Sequence, residues 1–199
     1  CGRRGLGCGG SGLTAGVLLA AGESTRMGQL KALLPWRGTT LLQSQLAEMA
    51  AAELDPLLVV LGHRRAEVEP LVAQTAARTV VNERYREGKS TSIVAAIAAL
   101  PEPVERVMLV AVDQPTEASV LRALAAAEGL IVLPSANHRR GHPSLFARAV
   151  FAELLAISEE HEGLREVMTR HEHDIRYVNV DTDIVRANLN SPEDYQAAF

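Results

Sequence analysis

Residues 15–31 read AGVLLAAGESTRMGQLK, in which a short apolar run opens directly into a loop of small residues. The apolar run has the length and composition of a buried strand. Gly22 and Gly28 frame the loop, which carries two cations, Arg26 and Lys31. A loop that served only to turn the chain would not need two cations among glycines. The stretch therefore predicts a strand that leads into an anion-binding loop.

The rest of the chain continues this alternation of short apolar runs and amphipathic segments. Such alternation indicates βαβ units, which build a mostly parallel sheet with helices on both faces. We predict a Rossmann-like three-layer α/β fold, in which ligands bind at the carboxyl ends of the strands. The predicted strands are 15–20, 56–62, 78–82, 106–112, 129–135 and 175–180, and the predicted helices are 40–54, 65–76, 90–100, 117–127, 148–158, 163–171 and 191–199.

The composition limits the class of protein. Of the 199 residues, 47% are hydrophobic and 22% are charged, which is typical of a globular protein. The formal net charge is -4, so no basic surplus exists for broad binding of nucleic acid. No apolar run approaches the roughly 20 residues that cross a membrane. We predict a cytoplasmic protein without nucleic-acid or membrane partners, divided into a disordered glycine-rich head (1–13) and one domain (14–199).

The loop after the first predicted strand has the chemistry of a phosphate site. Glycine lets the backbone approach an anion closely, and exposed amides supply donors. Arg26 can donate two hydrogen bonds to phosphate oxygens, and Lys31 adds a mobile point charge. The alternative is a surface turn with solvated cations. The loop is not a Walker motif, because the Gly-Lys-Ser/Thr ending is absent.

Two further segments place candidate ligands next to predicted strands. Asp113 ends the apolar run 107–112, and a carboxylate at that edge of the sheet can hold Mg²⁺. The alternative role, capping helix 117–127, suits Thr116 better. In NERYREGKSTSI (82–93), Gly88 and several hydroxyls gather at a helix start that we expect Ser90 to cap. Such a cluster can bind an anion or contact the edge of a base.

Four segments, in order along the chain, resemble the MobA-like nucleotidyltransferases. LAAGESTRMGQLK (19–31) is similar to that family's signature, L-A-[AG]-G-x-x-x-R-M-G-x-x-K, and VAVDQP (110–115) resembles its metal-binding segment. NERYREGKSTSI (82–93) and RRGHPSLF (139–146) resemble the molybdenum cofactor cytidylyltransferase branch in particular. The resemblance implies a Mg²⁺-dependent enzyme that transfers a nucleotide to a phosphate-bearing acceptor and releases pyrophosphate.

The resemblance also implies roles for individual residues, in three groups. The nucleotide would contact the signature loop and the segment around residue 90. The metal would bind at the end of the 106–112 strand and at the segment near residue 190. The acceptor would lie beside residues 141–143. The nucleotide-binding residues are then Leu19, Ala20, Ala21, Gly22, Arg26, Lys31, Gly88 and Ser92; the catalytic residues are Arg26, Lys31 and Asp113; and the acceptor-binding residues are Gly141, His142 and Pro143. The metal ligands are Asp113 and Asn190, with Asp181 and Asp183 as alternatives for the second ligand.

Several alternatives stay open at this point. The small residue Ala21 is typical of the cytidylyl branch and favours CTP, whereas Asn188 and Asn190 look more like the guanylyl branch and favour GTP. The implied acceptor is molybdopterin bearing molybdenum, and a sugar or alcohol phosphate is the alternative acceptor. A molybdoenzyme client or its chaperone is a further candidate partner. His142 either contacts the acceptor or is a buried histidine that structures its loop. A non-catalytic nucleotide sensor or cofactor chaperone of the same fold is the rival to an enzyme.

Overall fold

The computed structural model describes residues 12–198, which form ten strands and seven α-helices. Short 3₁₀ turns connect several of these elements. The strands are β1 (Leu13–Ala20), β2 (Pro35–Trp36), β3 (Thr39–Thr40), β4 (Leu57–Leu61), β5 (Arg78–Val81), β6 (Val104–Ala111), β7 (Ile131–Ala136), β8 (Arg139–Arg140), β9 (Ser144–Ala147) and β10 (Ile175–Asn179). The helices are α1 (Leu41–Ala51), α2 (Arg65–Val72), α3 (Lys89–Ala98), α4 (Ala118–Ala126), α5 (Phe151–Ala156), α6 (Leu164–Arg170) and α7 (Pro192–Ala198).

Eight of the strands form one sheet in the order β10-β7-β9-β6-β1-β4-β5, with β8 paired to β7. The pairs β1–β4, β1–β6, β4–β5 and β7–β10 are parallel, whereas β8 and β9 pair antiparallel with their neighbours. From β1 the chain first builds β4 and β5 on one side, and then places β6 on the other side. The strand order therefore reverses at β1, which puts the loops after β1 and β6 beside a ligand-binding crevice.

Helices cover both faces of the sheet because β1 and its neighbours are apolar on both sides. Along β1, Leu18 and Ala20 point into one buried cluster, while Val17 and Leu19 point into the other. This is the two-residue alternation of a strand. The first cluster includes side chains from α1, α2 and α4, and the second includes side chains from α3, α5 and α6. The predicted three-layer α/β fold with a mostly parallel sheet is confirmed.

Some elements differ from the sequence prediction. The short strands β8 and β9 and the hairpin β2–β3 were not predicted, because runs of two to four residues carry too little periodicity to be recognised. Leu13, assigned to the disordered head, pairs with Val104 at the start of β1, so the head prediction is wrong at that boundary. Of the other residues assigned to the head, Gly12 is described and residues 1–11 lie outside the described residues.

Two helix starts also differ from expectation. Ser90 lies inside α3 and its backbone N–H donates to Glu159 Oε1 at 2.7 Å, so it does not cap the helix. The first backbone N–H of α4, that of Ala118, donates to Glu48 Oε2 at 2.7 Å, whereas the buried hydroxyl of Thr116 has no hydrogen-bond partner within the described residues. In both cases the carboxylate comes from a distant segment, which local spacing cannot reveal. No helix between residues 12 and 198 is long and apolar enough to cross a membrane.

Candidate active site

Lys31, Asp113 and Asn190 meet at the carboxyl edge of the sheet. The Lys31 Nζ donates to Asp113 Oδ2 at 2.9 Å and to Asn190 Oδ1 at 3.0 Å. The Lys31 side chain is 11% exposed and the Asp113 side chain 26% exposed, so water screens this pair less than a surface ion pair. Three residues that the resemblance assigned separately to phosphate and metal therefore form one charged cluster.

The loop after β1 is shaped by two residues with left-handed backbone conformations. Ser24 (φ 56°) and Gly28 (φ 66°) flank a single 3₁₀ turn, Thr25–Met27, which carries Arg26. The Ser24 hydroxyl accepts a hydrogen bond from the backbone N–H of Lys31 at 3.1 Å. The loop thereby folds back on itself, and Arg26 lines a small cavity of about 170 Å³ together with the Lys31, Asp113 and Asn190 cluster.

The C-terminal segment reaches this cluster through backbone contacts. The Leu189 N–H donates to the Asp113 carbonyl oxygen at 2.8 Å, and the Leu189 side chain is fully buried. Asp194, in the first turn of α7, accepts from the backbone N–H groups of Asn190 at 3.2 Å and Ser191 at 2.9 Å. These contacts fix Asn190 beside Asp113. Asn188, by contrast, is exposed.

Gln45 supports the strand end that carries Asp113, and sequence reasoning missed it. This α1 side chain is only 1% exposed, and its Nε2 donates to the carbonyl oxygens of Ala111 at 3.3 Å and Val112 at 2.7 Å. The sequence contains a weak signal, since a glutamine within an otherwise apolar helix face needs a hydrogen-bond partner when buried. Nothing local to residue 45 indicates that the partner is the end of β6.

The largest group of predicted nucleotide-binding residues lines one cavity of about 260 Å³. The end of β1 and the following loop form one wall, the start of α3 forms a second, and Asp113 lies at the base of the β6 loop. Of the eight residues expected to bind nucleotide, Arg26 alone lies outside it, in the adjoining small cavity. The seven that line it are Leu19, Ala20, Ala21, Gly22, Lys31, Gly88 and Ser92.

The α3 wall of this nucleotide cavity is held by a buried asparagine. Asn82 is 5% exposed, and its Nδ2 donates to the hydroxyls of Thr91 and Ser92, each at 2.9 Å. Its Oδ1 accepts from the Arg84 N–H at 2.9 Å. Asn82 therefore orients the Ser92 hydroxyl, and its position at the start of the segment 82–93 was the signal in the sequence that could have identified it.

Gly88 is required for a packing reason as well as for lining the cavity. Its φ is 115°, and a Cβ at this position would come within 2.3 Å of the Glu159 Cγ. The Glu159 carboxylate lies there because it accepts the Ser90 N–H, and this hydrogen bond holds the pKa of Glu159 below its usual range. An acidic residue thus already caps the start of α3, and Gly88 leaves the space for it.

A second cavity, of about 360 Å³, adjoins the first and contains two of the three predicted acceptor residues. Gly141 and His142 line it, whereas Pro143 is buried and does not, and the acceptor-binding role of these three residues stays a prediction. Gly141 packs tightly, because a Cβ there would lie 2.5 Å from the Val185 carbonyl oxygen. The remaining lining combines an apolar floor with two neutral polar residues and three cations that sequence reasoning missed. The apolar residues are Leu19, Ile93, Leu109, Ala111, Leu133, Leu164 and Met168, the neutral polar residues are Gln114 and Ser144, and the cations are Lys89, Arg140 and Arg165.

His142 lies at an exposed position on this acceptor cavity, which argues against a buried structural histidine. Partial desolvation of the imidazole by its surroundings lowers the pKa of His142, and the positive charge of Lys89 lowers it further. Asp113 opposes this shift, and Arg140 adds to it. The imidazole is therefore neutral at physiological pH and can donate or accept a hydrogen bond without adding charge.

The donor set around Lys31 fits a hard divalent cation. Asp113 and Asn190 each point an oxygen at one cationic centre, the Lys31 ammonium, and carboxylate and amide oxygens are the ligands that Mg²⁺ prefers. Residues 12–198 contain no group of three or more His, Cys, Asp or Glu side chains that could hold a metal ion alone. A divalent ion here would therefore need oxygens from a bound phosphate or from water.

Comparisons with known proteins agree on the family. Residues 16–175 match the MobA-like NTP transferase domain. The chain is 27% identical over 185 residues to the molybdenum cofactor cytidylyltransferase of Escherichia coli (strain K12), covering 92% of this chain and 93% of that protein. A probable molybdenum cofactor guanylyltransferase of Opitutus terrae is 38% identical over 102 residues, covering 51% of this chain and 48% of that protein.

The fold is shared with solved structures over nearly the whole chain. Rv0371c from Mycobacterium tuberculosis H37Rv superposes with a TM-score of 0.83 at 29% identity, covering 95% of this chain and 98% of that one. A complex of Rv0371c with manganese superposes with a TM-score of 0.78. Since the matched domain includes β1, its cationic loop and the strand that leads to Asp113, the chain belongs to the MobA-like NTP transferase family.

Proposed function

We propose that the chain transfers CMP from CTP to the phosphate of a molybdopterin that carries molybdenum, and releases pyrophosphate. The observation that carries this proposal is the pair of adjoining cavities at the carboxyl edge of the sheet. One is bordered by the cationic loop after β1, and the other combines apolar walls with three cations. A nucleotide and a phosphate-bearing ring system can therefore bind side by side.

The reaction joins two phosphates. An oxygen of the acceptor phosphate forms a bond to the α-phosphorus of CTP, the bond from that phosphorus to the bridging oxygen of the β-phosphate breaks, and pyrophosphate leaves with the electron pair. The protein supplies position and charge rather than a covalent partner. Arg26 and Lys31 border the space next to Asp113, where they can neutralise the triphosphate as charge moves onto the leaving group.

Asp113 and Asn190 are the residues that would hold Mg²⁺. When bound, the ion would offset negative charge on the triphosphate and on the departing pyrophosphate. Because the Lys31 ammonium lies between the same two oxygens, it must leave that position when a divalent ion binds there. Lys31 would then be available to the phosphates. The manganese complex of Rv0371c supports divalent-metal use within this fold.

Ala21 favours CTP over GTP. It lines the nucleotide cavity, is 5% exposed, and lies just before Gly22, where the backbone would pass close to the base. A methyl group there narrows the space, which a single pyrimidine ring tolerates better than a purine. The match to the E. coli cytidylyltransferase over 92% of this chain supports the same choice.

GTP is the second candidate, and a specific observation favours it. Asn190, which looks more like the guanylyl branch, sits in the charged cluster beside Asp113, and the Opitutus terrae relative is a probable guanylyltransferase. We give it less weight because Asn190 lies by the metal ligand, whereas Ala21 lines the cavity for the base. Residues near the metal cannot distinguish one base from another.

The test is pyrophosphate release by the purified chain with Mg²⁺, molybdopterin that carries molybdenum, and either CTP or GTP. We expect pyrophosphate release to depend on the acceptor. Its kcat/KM should be at least roughly tenfold higher with CTP than with GTP, which corresponds to about 1.4 kcal/mol. A preference for GTP would replace the cytidylyl proposal with the guanylyl one. Binding of nucleotide with no pyrophosphate release for any acceptor phosphate would instead favour the non-catalytic sensor or chaperone.

A further inference from the structure

Lys89 stands at the boundary between the two cavities. Three residues line both cavities, namely Leu19, Lys89 and Ala111. Of these, Leu19 and Ala111 are buried apolar residues at the ends of β1 and β6. Among the described residues that the two cavities share, Lys89 is thus the one that carries a charge. Any pair of ligands that react with each other across this boundary must meet next to its side chain.

The Lys89 side chain is exposed, and within residues 12–198 its ammonium makes no hydrogen bond and no ion pair closer than 4.0 Å. Glu159 attracts the Lys89 charge electrostatically, but its carboxylate accepts the backbone N–H of Ser90 and forms no ion pair with Lys89. The charge of Lys89 nevertheless acts on the acceptor cavity, where it lowers the pKa of His142. Within the described residues the ammonium therefore forms no direct salt bridge, and it is positioned to act on the cavity.

The backbone that carries Lys89 is firmly held although the side chain is not. Lys89 is the first residue of α3, directly after Gly88. The Thr91 hydroxyl donates to the carbonyl oxygens of Gly88 at 2.9 Å and Arg84 at 3.0 Å, and Glu159 closes the other side. A fixed Cα with a mobile ammonium suits a group that must reach a ligand and follow it through a reaction.

We infer that Lys89 is a catalytic residue of this chain, whose ammonium holds the attacking phosphomonoester of the acceptor at the boundary with the nucleotide. This inference rests on the proposed function. The acceptor phosphate and the triphosphate of CTP are both anions, and they must approach each other before the acceptor oxygen can bond to the α-phosphorus. In a partly desolvated site they repel each other strongly. A cation between them reduces that repulsion and orients the attacking oxygen. Arg140 and Arg165 line the acceptor cavity only, so they can hold the acceptor but not bridge to the nucleotide.

The test compares Lys89→Met, which keeps the stem and removes the charge, with Lys89→Arg, which keeps the charge. Arg78→Met is the matched control, because Arg78 is an exposed cation at the amino end of the edge strand β5, opposite the site. In acceptor-dependent pyrophosphate release, we expect Lys89→Met to lower kcat/KM for the acceptor roughly 100-fold, the scale for loss of one preorganised donor. Lys89→Arg should restore much of the loss. The Kd for CTP should change much less than kcat/KM for the acceptor in both variants, because Lys31 and Arg26 remain at the nucleotide.

A binding measurement separates this inference from the proposed function. Calorimetry with a pterin phosphomonoester and with its dephosphorylated alcohol, in the presence of a non-hydrolysable CTP analogue, requires no turnover. We expect the wild type to bind the phosphomonoester more tightly, and Lys89→Met to lose most of that difference while binding the alcohol unchanged. Equal phosphate preference in the wild type and Lys89→Met, or none in the wild type, would overturn the role of Lys89. Failure of turnover with intact phosphate-dependent binding would instead overturn the proposed function.

Discussion

The two cavities of the site differ in how they are built. One contiguous segment, residues 19–31, forms much of the nucleotide cavity, with its two cations and its tight turn encoded within a few positions. The acceptor cavity instead draws on β6, β7, α3, α6 and the loop between β8 and β9, each contributing one to three side chains. The difference teaches that a phosphate loop is a local structure, whereas the acceptor site exists only once the sheet has assembled.

The largest effect should come from Asp113, where the nucleotide cavity, the small cavity that contains Arg26 and the C-terminal segment converge. We expect Asp113→Asn to lower turnover by at least roughly 1000-fold, because it removes the carboxylate that would bind Mg²⁺ and leaves Lys31 without its charged partner. Pyrophosphate release measures the loss, and thermal unfolding measures stability. Glu117→Gln serves as the control, since Glu117 is a nearby acid that contacts Arg37. Retention of metal-dependent turnover by Asp113→Asn would reduce Asp113 to a structural role.

The cations of the loop after β1 should rank next. Loss of Arg26 or Lys31 by substitution with Ala should cost about 2 to 4 kcal/mol of transition-state stabilisation, the scale for a preorganised charge-stabilising donor. Steady-state kinetics with saturating acceptor measures each cost. Near-normal turnover in both variants would show that the loop is a solvated turn, and would remove the contrast between a locally encoded nucleotide cavity and an assembled acceptor cavity.

Ala21 sharpens the comparison by testing base selection within the nucleotide cavity alone. Ala21→Gly should shift the ratio of kcat/KM for CTP and GTP toward GTP, by about the tenfold that a small steric change supplies. Ala73→Gly is the matched control, because Ala73 is exposed at the end of α2, lines neither cavity and should leave the ratio unchanged. If the wild type already prefers GTP, the interpretation of Ala21 is wrong.

The smallest effect concerns the acceptor cavity and pH. The pKa of His142 is lowered in the folded protein, so below about pH 6.5 the unfolded chain binds more protons at this residue. Stability should therefore fall as the pH drops through that range, and His142→Gln should flatten the decline. The comparison is made by urea unfolding of the wild type and of His142→Gln at pH 8 and at pH 5.5. An identical pH dependence of the unfolding free energy would show that the His142 imidazole is not desolvated.

The sequence was informative where structure is local. The six strands predicted from apolar runs all exist, and the loop after β1 places Arg26 and Lys31 together because fewer than ten residues separate them. The short strands β8 and β9 were missed because two and four residues cannot show a period. The capping contacts of Glu48 and Glu159 were missed because each joins segments about 70 residues apart.

The site shows the same division. The residues of the nucleotide cavity could be predicted because they lie in recognisable segments, and the structure brings all but Arg26 to one cavity. Arg165 lies outside the recognisable segments, and surface cations are too common for it to be selected from the sequence. Lys89 and Arg140 lie within two of those segments, but only the folded sheet shows which of their cations line the acceptor cavity. Gln45 belongs to the same class, because its partners on β6 are 66 and 67 residues away.

The most direct measurement follows the α-phosphate. The purified chain is incubated with Mg²⁺, molybdopterin that carries molybdenum, and CTP labelled at the α-phosphate, and both the label and the pyrophosphate are quantified. We expect label to move onto the acceptor, with one pyrophosphate released for each label transferred, and an acceptor without its phosphate to receive none. Label that stays in CTP, or that appears as free CMP whether or not the acceptor carries its phosphate, would contradict transfer across the boundary between the two cavities.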